Sequence, residues 1–321
     1  MLTYKLARSK CVLFSNDSAT AKDSIMFTGL SAFPLTPLVD DHLDEIAFSA
    51  LIGRLNRAGV DSITALGSTG SYAYLSEQER ARVAHLAVEN AGDTPVFIGV
   101  GALRTSQVLA HATAAQRAGA AGLLLAPMSY QPLTETDVFE LFRTLSKHTD
   151  LPVIVYDNPG TTHFTFSLDL YLRLTELPGI SSIKIPGVPA VAAEAREHVA
   201  KIRAVIPEHV SIGVSGDASA AQGLAAGCDA WYSVIGGTLP ELALRITRAA
   251  QTGDHDRALA ESARLAPLWE LFTKCGGSLR VVAAIAEQLG LAQRSCLPLP
   301  ILGLDNSDRA RVAACLTRLG L

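Results

Sequence analysis

The sequence has little of what marks a specialised chain, and each shortage removes a class of function. It holds no apolar run near the roughly 20 residues needed to span a bilayer, so no membrane segment is expected. It carries no block of like charges, and its net charge of −4 and isoelectric point near 6.1 leave no basic footprint for nucleic acid. Five cysteines (Cys11, Cys228, Cys275, Cys296 and Cys315) are odd in number and lack C-x-x-C spacing. That pattern argues against a disulfide framework or zinc site and for reduced thiols in a cytoplasm. The eight histidines form no H-x-H or H-E-x-x-H arrangement, so a metal-dependent aldolase lacks its obvious ligands.

What is present is a chain of 321 residues, 49% hydrophobic and 18% charged, able to bury a sizeable core. That length fits one large domain, because barrels of alternating strands and helices often run to about 250 residues. Residues 1–24 carry basic side chains and a short apolar patch, Cys11-Val12-Leu13-Phe14, and read as a loosely attached tail. From Ile25, short apolar runs alternate with amphipathic stretches. Strands are expected at 27–32, 62–66, 96–100, 122–125, 153–156, 180–185, 210–214 and 230–234. Helices are expected at 43–58, 76–90, 105–118, 134–147, 167–174, 188–205, 218–223 and 240–251. Ser76-Glu77-Gln78-Glu79 has the form of a capping box, and Pro240 suits a first helical turn.

A repeated phrase narrows the architecture. Arg57-Ala58-Gly59-Val60-Asp61-Ser62-Ile63 resembles Arg117-Ala118-Gly119-Ala120-Ala121-Gly122-Leu123, and Ala225-Ala226-Gly227-Cys228-Asp229-Ala230-Trp231 echoes both. Each places a glycine where a helix ends and a strand soon begins. A parallel α/β fold follows, either a (β/α)₈ barrel over residues 25–251 or a doubly wound sheet. Helical patterns at 255–272, 279–289 and 307–319 extend that domain, so residues 252–321 form C-terminal helices with apolar faces that need partners.

Three strand ends bear chemistry. Lys184, one of only seven lysines, is the one that falls inside an apolar strand, Ile180-Ser181-Ser182-Ile183-Lys184-Ile185. Burial favours its neutral amine, a nucleophile toward carbonyls; an edge-strand or ion-paired lysine is the alternative. Tyr156 ends the strand before it, where a phenol can shuttle protons or simply pack. Gly67-Ser68-Thr69-Gly70-Ser71 follows the second strand and makes either a small anion nest or an ordinary turn. Met128 and the Trp231-Tyr232 pair read as packing.

Taken together these residues resemble the dihydrodipicolinate synthase/N-acetylneuraminate lyase family, from about Thr28 to Gln251. The signposts are Thr36-Pro37-Leu38, Gly67-Ser68-Thr69-Gly70, Leu75-Ser76-Glu77-Gln78-Glu79-Arg80, Leu151-Pro152-Val153-Ile154-Val155-Tyr156-Asp157-Asn158-Pro159-Gly160, Ile183-Lys184 and Ser215-Gly216-Asp217. The resemblance implies a TIM barrel, a tetramer or dimer, and Schiff-base chemistry on pyruvate or a related 2-oxo acid without metal or organic cofactor. It makes Lys184 the imine-forming residue and Tyr156 the proton shuttle, with Ser68 and Thr69 on the substrate carboxylate beside Gly67. Three positions depart from the family's synthases: Thr161 replaces an arginine, Ser129 a tyrosine and Ser71 a glutamate. Hydroxyl-rich Thr161, Thr162 and His163 suggest an uncharged or polyhydroxy second substrate, so the chain reads as an aldolase or dehydratase. The alternatives are the synthase itself and a non-catalytic 2-oxo-acid-binding regulator.

Overall fold

The computed structural model describes residues 27–321. The tail expected at 1–24 lies outside them, as does Cys11. Eight parallel strands close into a barrel: β1 Gly29–Ala32, β2 Ser62–Ala65, β3 Val96–Gly99, β4 Gly122–Leu125, β5 Val153–Tyr156, β6 Ile180–Ile185, β7 Ser211–Val214 and β8 Ala230–Ser233. Each pairs with its successor, and β8 pairs with β1 from Gly29↔Ala230 to Ala32↔Ser233. This closure excludes the doubly wound sheet, which would leave two edges. The strands read as short apolar runs because both of their faces are covered.

Eight helices alternate with the strands, α1 Glu45–Ala58, α2 Glu77–Asn90, α3 Thr105–Ala118, α4 Glu135–Ser146, α5 Leu168–Thr175, α6 Ala192–Arg203, α7 Ala220–Ala225 and α8 Pro240–Gln251, and a single helical turn, Pro159–Thr162, precedes α5. Local chemistry fixes their ends. The Ser76 hydroxyl accepts from the Glu79 N–H while the Glu79 carboxylate accepts from the Ser76 N–H, which completes the capping box of α2. Gly59 and Gly119 end α1 and α3 with φ of 75° and 89°, a left-handed turn that a side chain would strain. The apolar helix faces and the outer strand faces merge into one core, with Leu55, Val83, Phe142, Leu170 and Ile246 fully buried.

A second, smaller core fills the barrel interior with Phe33, Phe97, Leu124, Ile154, Tyr156 and Tyr232. Polar atoms there pair with one another: Ser31 with Thr64 at 2.8 Å, and Ser182 with the Tyr232 hydroxyl at 2.6 Å. Gly213 on β7 makes this layer possible, because a Cβ there would lie 2.1 Å from the Tyr232 ring.

Three segments differ from the sequence reading. The helix expected from residue 43 starts at Glu45, capped by Asp44, because Leu38–Val39 and His42–Leu43 form an antiparallel hairpin. Asp40 and Asp41 turn it with φ of 50° and 62°, a conformation aspartate tolerates better than most residues. The helix expected over 188–205 begins only at Ala192, since Pro189 biases Val188 away from helical geometry. The pattern at 255–272 is two helices, α9 His255–Arg264 and α10 Ala266–Lys274, with Pro267 in the first turn of the second. Then come α11 Leu279–Gln288 and α12 Asn306–Leu319. Among the described residues no helix is long and apolar enough to cross a membrane, and Cys228, Cys275, Cys296 and Cys315 are free thiols.

Because Gly213 leaves room for Tyr232, Gly213→Ala is expected to lower stability in urea unfolding by about 1–3 kcal/mol, the usual penalty of overpacking. An unchanged midpoint would mean that the ring yields without strain.

Candidate active site

The C-terminal ends of the strands open into a cavity of about 1080 Å³. Strand register assembles its floor, aligning Tyr156 with Lys184 and Lys184 with Gly213. The Tyr232 ring occupies the space beside Gly213, and the lysine lies against Tyr156 on its other side. Its Nζ lies 4.2 Å from the centre of the Tyr156 ring and 5.8 Å from that of Phe33. Lys184 is only 4% exposed and forms no salt bridge among the described residues. Burial therefore drives its pKa down to about 7, and the more distant carboxylates of Asp217 and Asp157 only partly oppose this.

Those two carboxylates are engaged elsewhere. Asp217 accepts from the Trp231 indole at 3.1 Å, the Ser233 hydroxyl at 3.2 Å and the backbone N–H groups of Val234 and Ile235 at 3.1 and 2.7 Å. It ties the loop after β7 to the loop after β8. Asp157 turns away from the barrel interior and accepts from the Tyr171 hydroxyl of α5 at 2.5 Å. Burial pushes both carboxyl groups up to about 6.

The Tyr156 hydroxyl accepts from the Asn158 side-chain amide at 2.9 Å and lies 3.1 Å from the Ser68 hydroxyl. With its lone pairs met by Asn158, the phenol is free to donate to Ser68, whose own proton can turn to the cavity. Burial raises the Tyr156 pKa, so the phenol keeps its proton until a basic partner takes it. The loop bearing Ser68 is bracketed by two non-glycine residues in left-handed geometry, Leu66 at φ 58° and Ser71 at φ 54°. Such backbone is costly for leucine and recurs where a loop must aim its groups. Arg80, buried under this loop, donates to the carbonyls of Gly99 and Gly101 and so fastens the end of β3.

The structure brings Lys184, Tyr156, Ser68, Thr69, Ser129 and Thr161 to one cavity. Gly67 stands apart: it is not on the lining, and a Cβ there would lie 2.5 Å from the Phe33 ring, so it allows the turn to close on that ring. Ser129 donates its hydroxyl to the Gln131 carbonyl. Of the hydroxyl-rich trio, Thr161 accepts from Asn158 at 3.0 Å and faces the cavity. Thr162 donates to the Asn158 carbonyl at 3.0 Å, and His163 is not on the lining. Sequence reasoning missed Asn158, although it stands two residues after Tyr156 in the quoted loop. It also missed Phe33, and the outer wall that Trp269, Phe272 and Arg280 supply from the C-terminal helices. No motif signals that wall.

Comparison with known proteins agrees with this fold. A sequence model of the dihydrodipicolinate synthetase family matches residues 26–319. A Halobacterium salinarum protein described as an uncharacterised DapA-like lyase is 33% identical over 82% of this chain and 84% of its own. A 4-hydroxy-tetrahydrodipicolinate synthase of Methylococcus capsulatus is 32% identical over 90% and 97%. Among solved structures, a dihydrodipicolinate synthase of Agrobacterium tumefaciens superposes with a TM-score of 0.87 at 44% identity, over 91% and 98% of the two chains.

An amine with a pKa near 7 has a distinct rate signature. Pyruvate imine formation, followed by trapping with cyanoborohydride, should rise about tenfold per pH unit below 7 and level off above it. A rate still climbing steadily at pH 9 would mean that the lysine titrates as an ordinary surface amine.

Proposed function

The chain belongs to the dihydrodipicolinate synthetase family, and on that premise we propose that it is a Schiff-base lyase joining pyruvate, or a related 2-oxo acid, to an aldehyde, or releasing the two. The observation that carries this reading is the buried Lys184 amine set over the Tyr156 ring, 4.2 Å away, with Ser68 bonded to the phenol. Neutral Lys184 attacks the C2 carbonyl of the 2-oxo acid, and water leaves to give a protonated imine. The cation then lies over the electron-rich ring face, which favours it in a dry site. Ser68 and Thr69 hold the carboxylate. The imine withdraws electrons from C3, which loses a proton and becomes the nucleophilic carbon of an enamine. That carbon bonds to the aldehyde carbon, the aldehyde oxygen takes a proton through the Tyr156–Ser68 pair, and hydrolysis frees Lys184. A 4-hydroxylated 2-oxo acid can instead lose its hydroxyl as water from the same enamine.

The second substrate is the finer question. The charged residues on the cavity lining are Lys184, Asp217 and Arg280, and Asp217 is engaged by its own chain. An amino aldehyde would find no free carboxylate for its ammonium on this lining. This supports a substrate other than aspartate semialdehyde, whereas the names of the relatives support the synthase reaction, so both are assayed together.

A homotetramer or homodimer is the expected assembly. Tyr74, Leu103 and Tyr130 are 52%, 57% and 90% exposed on successive loops after β2, β3 and β4, and such a patch suits a partner subunit.

Incubation with pyruvate and borohydride should leave a stable adduct on Lys184 that Lys184→Ala lacks. Tyr156→Phe should keep the adduct while turnover falls about 10²–10⁴-fold, the range for a lost acid/base group. No adduct with pyruvate or any longer 2-oxo acid would overturn the reading, and ordinary efficiency with aspartate semialdehyde would restore the synthase. Sedimentation should give a dimer or tetramer that Leu103→Asp or Tyr130→Asp dissociates; a monomer at all concentrations would refute the assembly.

A further inference from the structure

The catalytic cavity has two unlike ends. Its floor is polar, built from the strand-end residues around Lys184. Its outer wall comes from the C-terminal helices, where Trp269 and Phe272 of α10 pack with ring centroids 5.6 Å apart. The Trp269 indole donates to the Ser262 carbonyl at 3.0 Å, which fixes the ring in place. Leu259, Leu279 and Ile301 extend this apolar surface. The volume of about 1080 Å³ slightly exceeds the usual range for a drug-sized ligand and is far beyond the needs of a three-carbon acid.

Within this apolar wall stands one cation, Arg280, in the first turn of α11. Its Nε–H donates to the Leu302 carbonyl at 2.9 Å, which anchors the guanidinium from one side. The two Nη groups make no hydrogen bond among the described residues. Arg264, Arg309 and Arg311 of the C-terminal helices are each paired with a carboxylate, and Arg280 is not. A half-exposed guanidinium held on one side, with open donors on the same cavity wall as Trp269 and Phe272, is suited to a carboxylate or phosphate held by charge-assisted hydrogen bonds.

We propose that Arg280 is a specificity-determining residue that receives an anionic group at the far end of the second substrate. The second substrate is then an acidic aldehyde whose carbon body lies on the Trp269–Phe272 wall, joined at its other end to the 2-oxo acid on Lys184. The inference rests on the lyase reading and replaces the uncharged, hydroxyl-rich partner expected from Thr161, Thr162 and His163. The apolar wall disfavours a polyhydroxylated chain, and Arg280 disfavours an ammonium.

The test pairs an acid with its neutral amide on the full chain. Binding is measured by calorimetry with 4-methylbenzoate and 4-methylbenzamide, and pyruvate-dependent addition with 4-formylbenzoate and 4-formylbenzamide. Each protein serves as its own control, because only the acid-to-amide ratio is read. The unchanged protein should prefer the acid by about ten- to a hundredfold, as expected of a charge-assisted contact. Arg280→Gln should bring the ratio to about one, and Arg280→Lys should retain part of it. No preference in the unchanged protein, or a preference that survives Arg280→Gln, overturns the proposal. If pyruvate leaves no adduct on Lys184 while the acid preference in binding persists and depends on Arg280, the lyase reading falls and the anion site stands.

Discussion

The site depends on an amine kept out of water without a counter-ion. A carboxylate at contact distance would hold Lys184 protonated and useless as a nucleophile, and full exposure would do the same. The barrel avoids both. Strand neighbours bury the side chain, an aromatic face rather than a carboxylate lies against its nitrogen, and the two nearest acids are engaged by other partners. Desolvation is therefore the largest influence on the amine and sets it near neutrality.

Keeping such a group in place requires a rigid surround, and much of the interior serves that end. Gly213 gives space to Tyr232, whose hydroxyl is tied to Ser182 on the strand that bears Lys184. Asp217 joins the loops after β7 and β8, and Arg80 fastens the end of β3 below the strained turn that presents Ser68. Gly213, Asp217 and Arg80 act here through the residues they hold. They fix where Lys184, Tyr156 and Ser68 meet.

The C-terminal helices have a different part. They add an apolar, aromatic wall with a single guanidinium to a cavity whose floor is hydroxyl-rich. Floor and wall thus differ in character: the strand ends supply an amine and hydroxyl groups, and the helical cover supplies aromatic surface and one guanidinium. This division agrees with a general property of barrels, in which variable loops and appended segments decide specificity over a constant strand frame.

The fold was readable in the sequence because its determinants are local. Apolar runs of four to six residues, Ser76 and Glu79 at capping spacing, and glycines such as Gly59 and Gly119 at helix ends each act over a few residues. A lysine inside one apolar run was visible for the same reason, as was the family likeness carried by short motifs. Barrel closure was not visible, since β1 meets β8 across about 200 residues of chain and equal turns serve an open sheet. Asn158 lay in plain sight, yet its bond to Tyr156 depends on how the loop folds back. The outer wall was least visible. Trp269, Phe272 and Arg280 follow no motif, and their approach to Lys184 is fixed only when α10 and α11 pack over the barrel mouth. The sequence by itself determined which strand holds the amine, because periodicity is a property of neighbours. Tertiary structure alone decided what faces that amine, because packing joins residues that sequence keeps far apart.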